Sequence, residues 1–152
     1  MYELWVFLHL LSVIVGIGAT MLNGLYAAKA KEAGGPAAGA IMKANFDVTM
    51  VAEKVIYLVP VFGILAVLAS DDAWDFGQTW VWLSLVLYGV ALGIAHGNQI
   101  PSGKKMLAGP SSPEEAAALG KRLAMGGMAL DLLVVVLVVL MVWKPGAPGY
   151  GF

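Results

Sequence analysis

The chain has 152 residues, 60% of them hydrophobic and 12% charged, with a net charge of −1 and a mean hydropathy of +0.82. One soluble domain of this length could not keep so many Leu, Val and Ala side chains out of water, so the composition points to a bilayer as solvent. Nine dispersed basic residues exclude an electrostatic case for nucleic acid, and the absence of Cys excludes disulfides, thiolate metal sites and thiol nucleophiles.

The first uncharged run covers residues 4–28, between Glu3 and Lys29, and exceeds the roughly 20 residues that cross a hydrocarbon core of about 30 Å. It opens on an acid and is too long for a secretory signal. The second span is expected at 52–70, with Glu53 and Lys54 just inside one boundary and a kink at Pro60. The third is expected at 79–97 and the fourth at 123–143. Asp131 lies inside the fourth, where its insertion cost of about 3 kcal/mol is outweighed by the surrounding Leu and Val. Ser112, Pro113 and Glu115 form a helix-start signature that carries helix four beyond the membrane. Residues 29–49 and 98–110 read as loops or surface helices, and 71–78 as a tight connection.

The expected architecture is therefore an all-α bundle of four transmembrane helices, one domain over 1–152 with a tail at 144–152. Lys29, Lys31, Lys43, Lys54, Lys104, Lys105, Lys121 and Arg122 fall on one side and Lys144 on the other. This predicts a multi-pass membrane protein with both termini outside and helix four extended into the cytoplasm. Trp5, Trp74, Trp80, Trp82 and Trp143 group at the outer interface under the same placement.

Ser12, Gly16, Thr20 and Gly24 recur every four residues in helix one, Gly89, Gly93 and Gly97 in helix three, and Gly127 adds a small residue in helix four. Such stripes predict close helix packing within the bundle, or between copies. His9, His96 and Asp131 share these faces and are expected to point inward. At about 1.5 Å per residue the two His lie about 16 Å apart along the membrane normal, so they cannot ligate one iron. His9 alone leaves open a haem b, five-coordinate or shared with Met141, beside the simpler reading of a hydrogen-bonded core His.

Glu53, Lys54, His96, Arg122 and the deeper Asp131 form an expected buried polar cluster, with Asn23, Asp47 and Asn98 nearby. It reads as an ion or proton pathway, a metal site, or a salt-bridge network that orients helices. Ser12 beside His9 lacks a third group and an oxyanion hole, so no hydrolase is read from it. Phosphate-binding Gly loops, zincin motifs and EF-hands are absent.

The opening MYELWVFLHLLSVIVGIGATML, the DF of DAWDFGQTW and the closing ALDLLVVVLVVLMVWKP resemble a family of small four-span bacterial integral membrane proteins of unknown function. The LH of helix one followed by small residues is also distantly similar to the copper-resistance-D and membrane protoporphyrinogen oxidase group. That resemblance implies haem b on His9; the aromatic usual before the glycine is here Val15, and no second ligand or catalytic Lys has a counterpart. The expected function is a non-catalytic accessory or assembly subunit of a larger membrane complex, with lipid and other membrane subunits, or a second copy, as partners. A haem b redox protein using His9, and an ion or proton translocator using Glu53, His96 and Asp131, stand as alternatives. Order in the Gly- and Pro-rich tail would mark a partner.

Overall fold

A computed structural model describes residues 1–149, and the end of the predicted tail, 150–152, lies outside the described residues. The described chain is all-helical, with four helices long and apolar enough to cross a membrane: α1 (Tyr2–Ala33), α2 (Gly35–Leu68), α3 (Thr79–Ala108) and α4 (Pro113–Trp143). At 30 to 34 residues each, they are about 45–50 Å long, well beyond a hydrocarbon core of about 30 Å. The excess lies at the end rich in Lys and Arg. Of the two readings for residues 29–49, loop or surface helix, the structure has the helical one. These residues extend α1 and α2 around a turn at Gly34 and Gly35, whose positive φ angles of 63° and 49° suit glycine. Ion pairs Lys29–Glu32 at 2.8 Å and Lys43–Asp47 at 2.6 Å line this exposed hairpin. Residues 98–108 likewise continue α3, and α4 starts on Ser112, whose hydroxyl accepts from the Glu115 N–H at 3.2 Å.

The bundle is two helical hairpins, α1/α2 and α3/α4, with the densest packing inside each. Gly16 makes the first hairpin close: a Cβ there would lie 2.8 Å from Ile56 Cγ1 and 3.1 Å from the Ile56 backbone N. Gly126 does the same in the second, where the amides of Asn98 and Gln99 reach the Arg122 and Leu123 carbonyls at 3.0 and 3.1 Å. The expected face of Gly89, Gly93 and Gly97 does not pack, since nothing lies within 4 Å of a Cβ at any of them. Gly24 is equally open, and Gly127 only touches Gln99. Ser12 is buried with its hydroxyl on the Leu8 carbonyl, and Thr20 bonds back to Ile17. Small residues permit close approach without specifying the partner, which is why only part of the pattern is used.

Three of the helices are irregular at middle to basic-end depth. α1 widens to a π-helical segment at Val13–Ile17, α3 does so at Ala95–Gln99, and α2 breaks at Tyr57. Pro101 accounts for the second, because it cannot donate to the Gly97 carbonyl four residues back. Pro60 likewise orphans the Ile56 carbonyl, which accepts instead from the Tyr88 hydroxyl at 3.1 Å.

The opposite end carries the tryptophans. Trp74 and Trp80 meet edge to face at 5.5 Å, and the Lys144 ammonium lies 5.2 Å above Trp74. The Trp80 N–H donates to Pro145 O at 3.2 Å, so residues 144–149 fold back on their own chain. Trp80, Val81 and Ala147 form a buried cluster there.

Candidate functional site

Three places in this framework hold chemistry: a cavity at the Trp-rich end, a polar contact where the hairpins meet, and one carboxylate on the outward face of α4.

The cavity, about 410 Å³, lies between residues of all four helices and is lined mainly by apolar groups. His9, Ser84, Tyr88 and Met141 are among its lining residues. Gly63 lets the Nδ1–Cε1 edge of the His9 ring approach α2, since a Cβ there would be 3.1 Å from Nδ1 and 3.2 Å from Cε1. Nδ1 is 2.8 Å from the Val59 carbonyl. A carbonyl can only accept, so Nδ1 carries the proton and Nε2 keeps its lone pair. His9 therefore has the simple carbonyl partner weighed from sequence, together with an imidazole nitrogen still open to coordination.

The polar contact joins α2 to α3. The Tyr57 hydroxyl is 2.8 Å from Glu53 Oε1 and 2.7 Å from His96 Nε2, and Nε2 is 2.9 Å from Glu53 Oε1. His96 Nδ1 is committed to the Leu92 carbonyl at 3.0 Å. Three polar atoms thus face one another within hydrogen-bonding distance at the helix break of α2 and the π-helical segment of α3. The His96 side chain is 48% exposed and that of Glu53 18%.

The sequence-predicted cluster accordingly divides. Glu53 and His96 are brought together, and Asn23, Asp47 and Asn98 pair elsewhere, with Thr49, Lys43 and Arg122 O. Lys54, Arg122 and Asp131 are exposed and form no ion pair among the described residues. The expectations that Asp131 points inward and that the five residues form one buried cluster are therefore corrected, whereas His96 faces Glu53 and Tyr57 of α2 from a half-exposed position. The reason is helical phase: α4 turns Gly126 and Leu140 to the bundle, which sends position 131 outward. No group of three His, Asp, Glu or Cys side chains suited to a metal ion occurs among the described residues.

Tyr57 and Tyr88 were not singled out from sequence. Their signals are local: Tyr57 follows Glu53 by four residues, one turn along the same face, and Pro60 demands an outside donor for Ile56.

Asp131 stands in an outward stripe of Ala124, Met128, Val135, Val138 and Val142, all exposed, at alternating spacings of three and four. This is the seam spacing of helices that pair along their length. No family model matches the chain, and no curated protein or solved structure matches it either.

Proposed function

We propose that the protein is a non-catalytic integral membrane subunit that docks through the outward face of α4 onto a transmembrane helix of another protein. The observation that carries this reading is Asp131. It sits about midway between Arg122 and Trp143, hence near the membrane centre. There a lone carboxylate costs about 3 kcal/mol by insertion scales, and such groups find partners in protein or a water-filled cavity. Among the described residues Asp131 has neither an ion pair nor a hydrogen-bond partner. A helix bearing Lys, Arg or His at mid-membrane depth would neutralise it. A second copy offers no such group, because His9, Lys54, His96 and Arg122 all lie nearer to a boundary. Met128 and the Val residues around Asp131 supply the apolar rest of the seam.

A photo-crosslinking side chain at Val135, used in native membranes, tests the reading. The expected product is a crosslink to one distinct membrane protein, lost with Asp131→Leu while helicity is retained. Crosslinks only to a second copy, or only to lipid, would overturn it.

A second reading has its own support: haem b held in the cavity by His9. The Val59 carbonyl leaves Nε2 as the atom that would hold the iron, and Met141, lining the same cavity, could offer a thioether donor. The donor set fits, and bound haem would supply one-electron chemistry near the Trp-rich end. The absorption spectrum of protein purified gently from its native membrane decides: a Soret band abolished by His9→Ala supports this reading, and a colourless sample overturns it.

A further inference from the structure

We propose that Glu53, Tyr57 and His96 form a proton-binding site that clasps the two helical hairpins together at the basic end, and that release of its proton opens this seam.

Proton counting carries the argument. His96 spends its Nδ1–H on the Leu92 carbonyl. Tyr57 has one hydroxyl proton, which it donates to Glu53 Oε1 at 2.8 Å. The remaining approach, Nε2 to Oε1 at 2.9 Å, needs a proton of its own, because two bare lone pairs repel at that distance. That proton resides on Nε2, giving imidazolium and carboxylate, or on Oε1, giving a neutral pair. On Nε2 the N–H is shared between Oε1 and the Tyr57 hydroxyl oxygen, which accepts at 2.7 Å, so all three contacts carry a proton; on Oε1 the carboxyl donates to Nε2 and the Tyr57 proton serves only one of its two neighbours. When the proton leaves to water at the exposed side of His96, only the bond from Tyr57 is left, and it can serve one acceptor at a time.

The site is also placed where its loss would matter. Few contacts join the hairpins at this end, among them the trio itself, Tyr88 on the Ile56 carbonyl, and Phe46 against Gly103. Both helices are already irregular here, α2 at Tyr57 and α3 at Ala95–Gln99, so each can shift without breaking a regular hydrogen-bond ladder. The charged and titratable surroundings add no competing partner. α2 adds Lys54, which is exposed. α3 adds Tyr88, which is bonded to Ile56. α4 brings Arg122 and Asp131, neither in an ion pair, and α1 has no titratable group between His9 and Tyr26. The inference is independent of both readings above, since neither uses these three side chains.

The chain lacks Cys, so Val48→Cys on α2 and Lys104→Cys on α3, both exposed sites, give a unique spin-label pair in lipid nanodiscs. Distances are measured from about pH 5 to about pH 10. The parent pair should show one short distribution at low pH that shifts to longer, broader distances as pH rises. Glu53→Gln should stay short throughout, because its amide N–H donates to Nε2 without a titrating proton. His96→Phe should be long throughout. A parent distance that ignores pH, or a Glu53→Gln protein that shifts like the parent, would overturn the proposal. Helicity by circular dichroism distinguishes opening from unfolding, and equal helix loss in both proteins at high pH also counts against it.

Discussion

Pro60 shows how one residue obliges another on a different helix of this fold. Its missing N–H leaves the Ile56 carbonyl without a helical donor, and Tyr88 supplies one from α3. A part-buried carbonyl left unpaired costs about 1–3 kcal/mol. Tyr88→Phe should therefore destabilise the protein by roughly that amount, read as a lowered thermal midpoint in detergent. Pro60→Ala restores the backbone donor, so adding Tyr88→Phe to it should cost clearly less than Tyr88→Phe alone. Additive losses in this double-mutant cycle would show that the hydroxyl does something other than replace the proline's missing donor. His9 illustrates the same scale: its hydrogen bond to Val59 and its contact with Gly63 decide which ring nitrogen is available, and neither is visible from a His in an apolar run.

Among the elements, α4 has the best-defined start. Ser112 caps it, Pro113 occupies its first turn, and Glu115 reaches back to the Ser111 N–H at 2.7 Å and hydroxyl at 2.6 Å. The expected box is formed one residue earlier than its usual pairing, because the carboxylate closes on Ser111 instead of Ser112. The Ser111 hydroxyl and then its N–H hold the Glu115 carboxyl below its ordinary 4.5, with Lys105 adding a smaller attraction. Its own backbone N–H and then the Ser112 hydroxyl lower Glu114 too. A depressed folded pKa contributes stability that is complete above the ordinary value and is lost as pH falls through the lower folded one. Amide protection over residues 113–116 should thus be flat from neutrality to about pH 4.5 and fall below it. Glu115→Gln should remove most of that dependence. α3 makes the opposite point: its Gly89, Gly93 and Gly97 stripe is strong in sequence yet unpacked.

At the scale of the whole molecule, the bundle is loosely filled, with no large side chain fully buried among the described residues and a cavity where its four helices meet. The Trp-rich end is closed by chain segments that bracket the second hairpin, the 71–78 connection and residues 144–149. Gly146 is central to that closure. Its φ is +84°, and a Cβ would lie 2.9 Å from Thr79 Oγ1 and 3.2 Å from the Thr79 backbone N. Gly146→Val should cost about 1–3 kcal/mol through backbone strain and contact. It should also shift Trp emission to the red as Trp74 and Trp80 lose their shelter. Unchanged emission and midpoint would show that the closure is not set by this turn. The segment 144–149 packs on its own chain, so its order needs no partner, contrary to the expectation drawn from its composition.

By itself the sequence determined what depends on local sums. Four spans, their approximate centres, the grouping of Lys and Arg at one end and of Trp at the other, and the start of α4 all follow from hydropathy, charge and capping over short windows. It also brought Glu53 and His96 to the same depth. Only the tertiary structure decided the azimuth of each helix, and with it which polar groups meet. Small residues license contact on any side, and a few degrees per turn accumulate over helices of 30 residues or more. Hence Asp131 turned outward, Tyr57 joined the Glu53 and His96 pair, and the glycines of α3 were left open. Those are properties of facing surfaces, and facing surfaces do not exist until two helices share a direction and a phase.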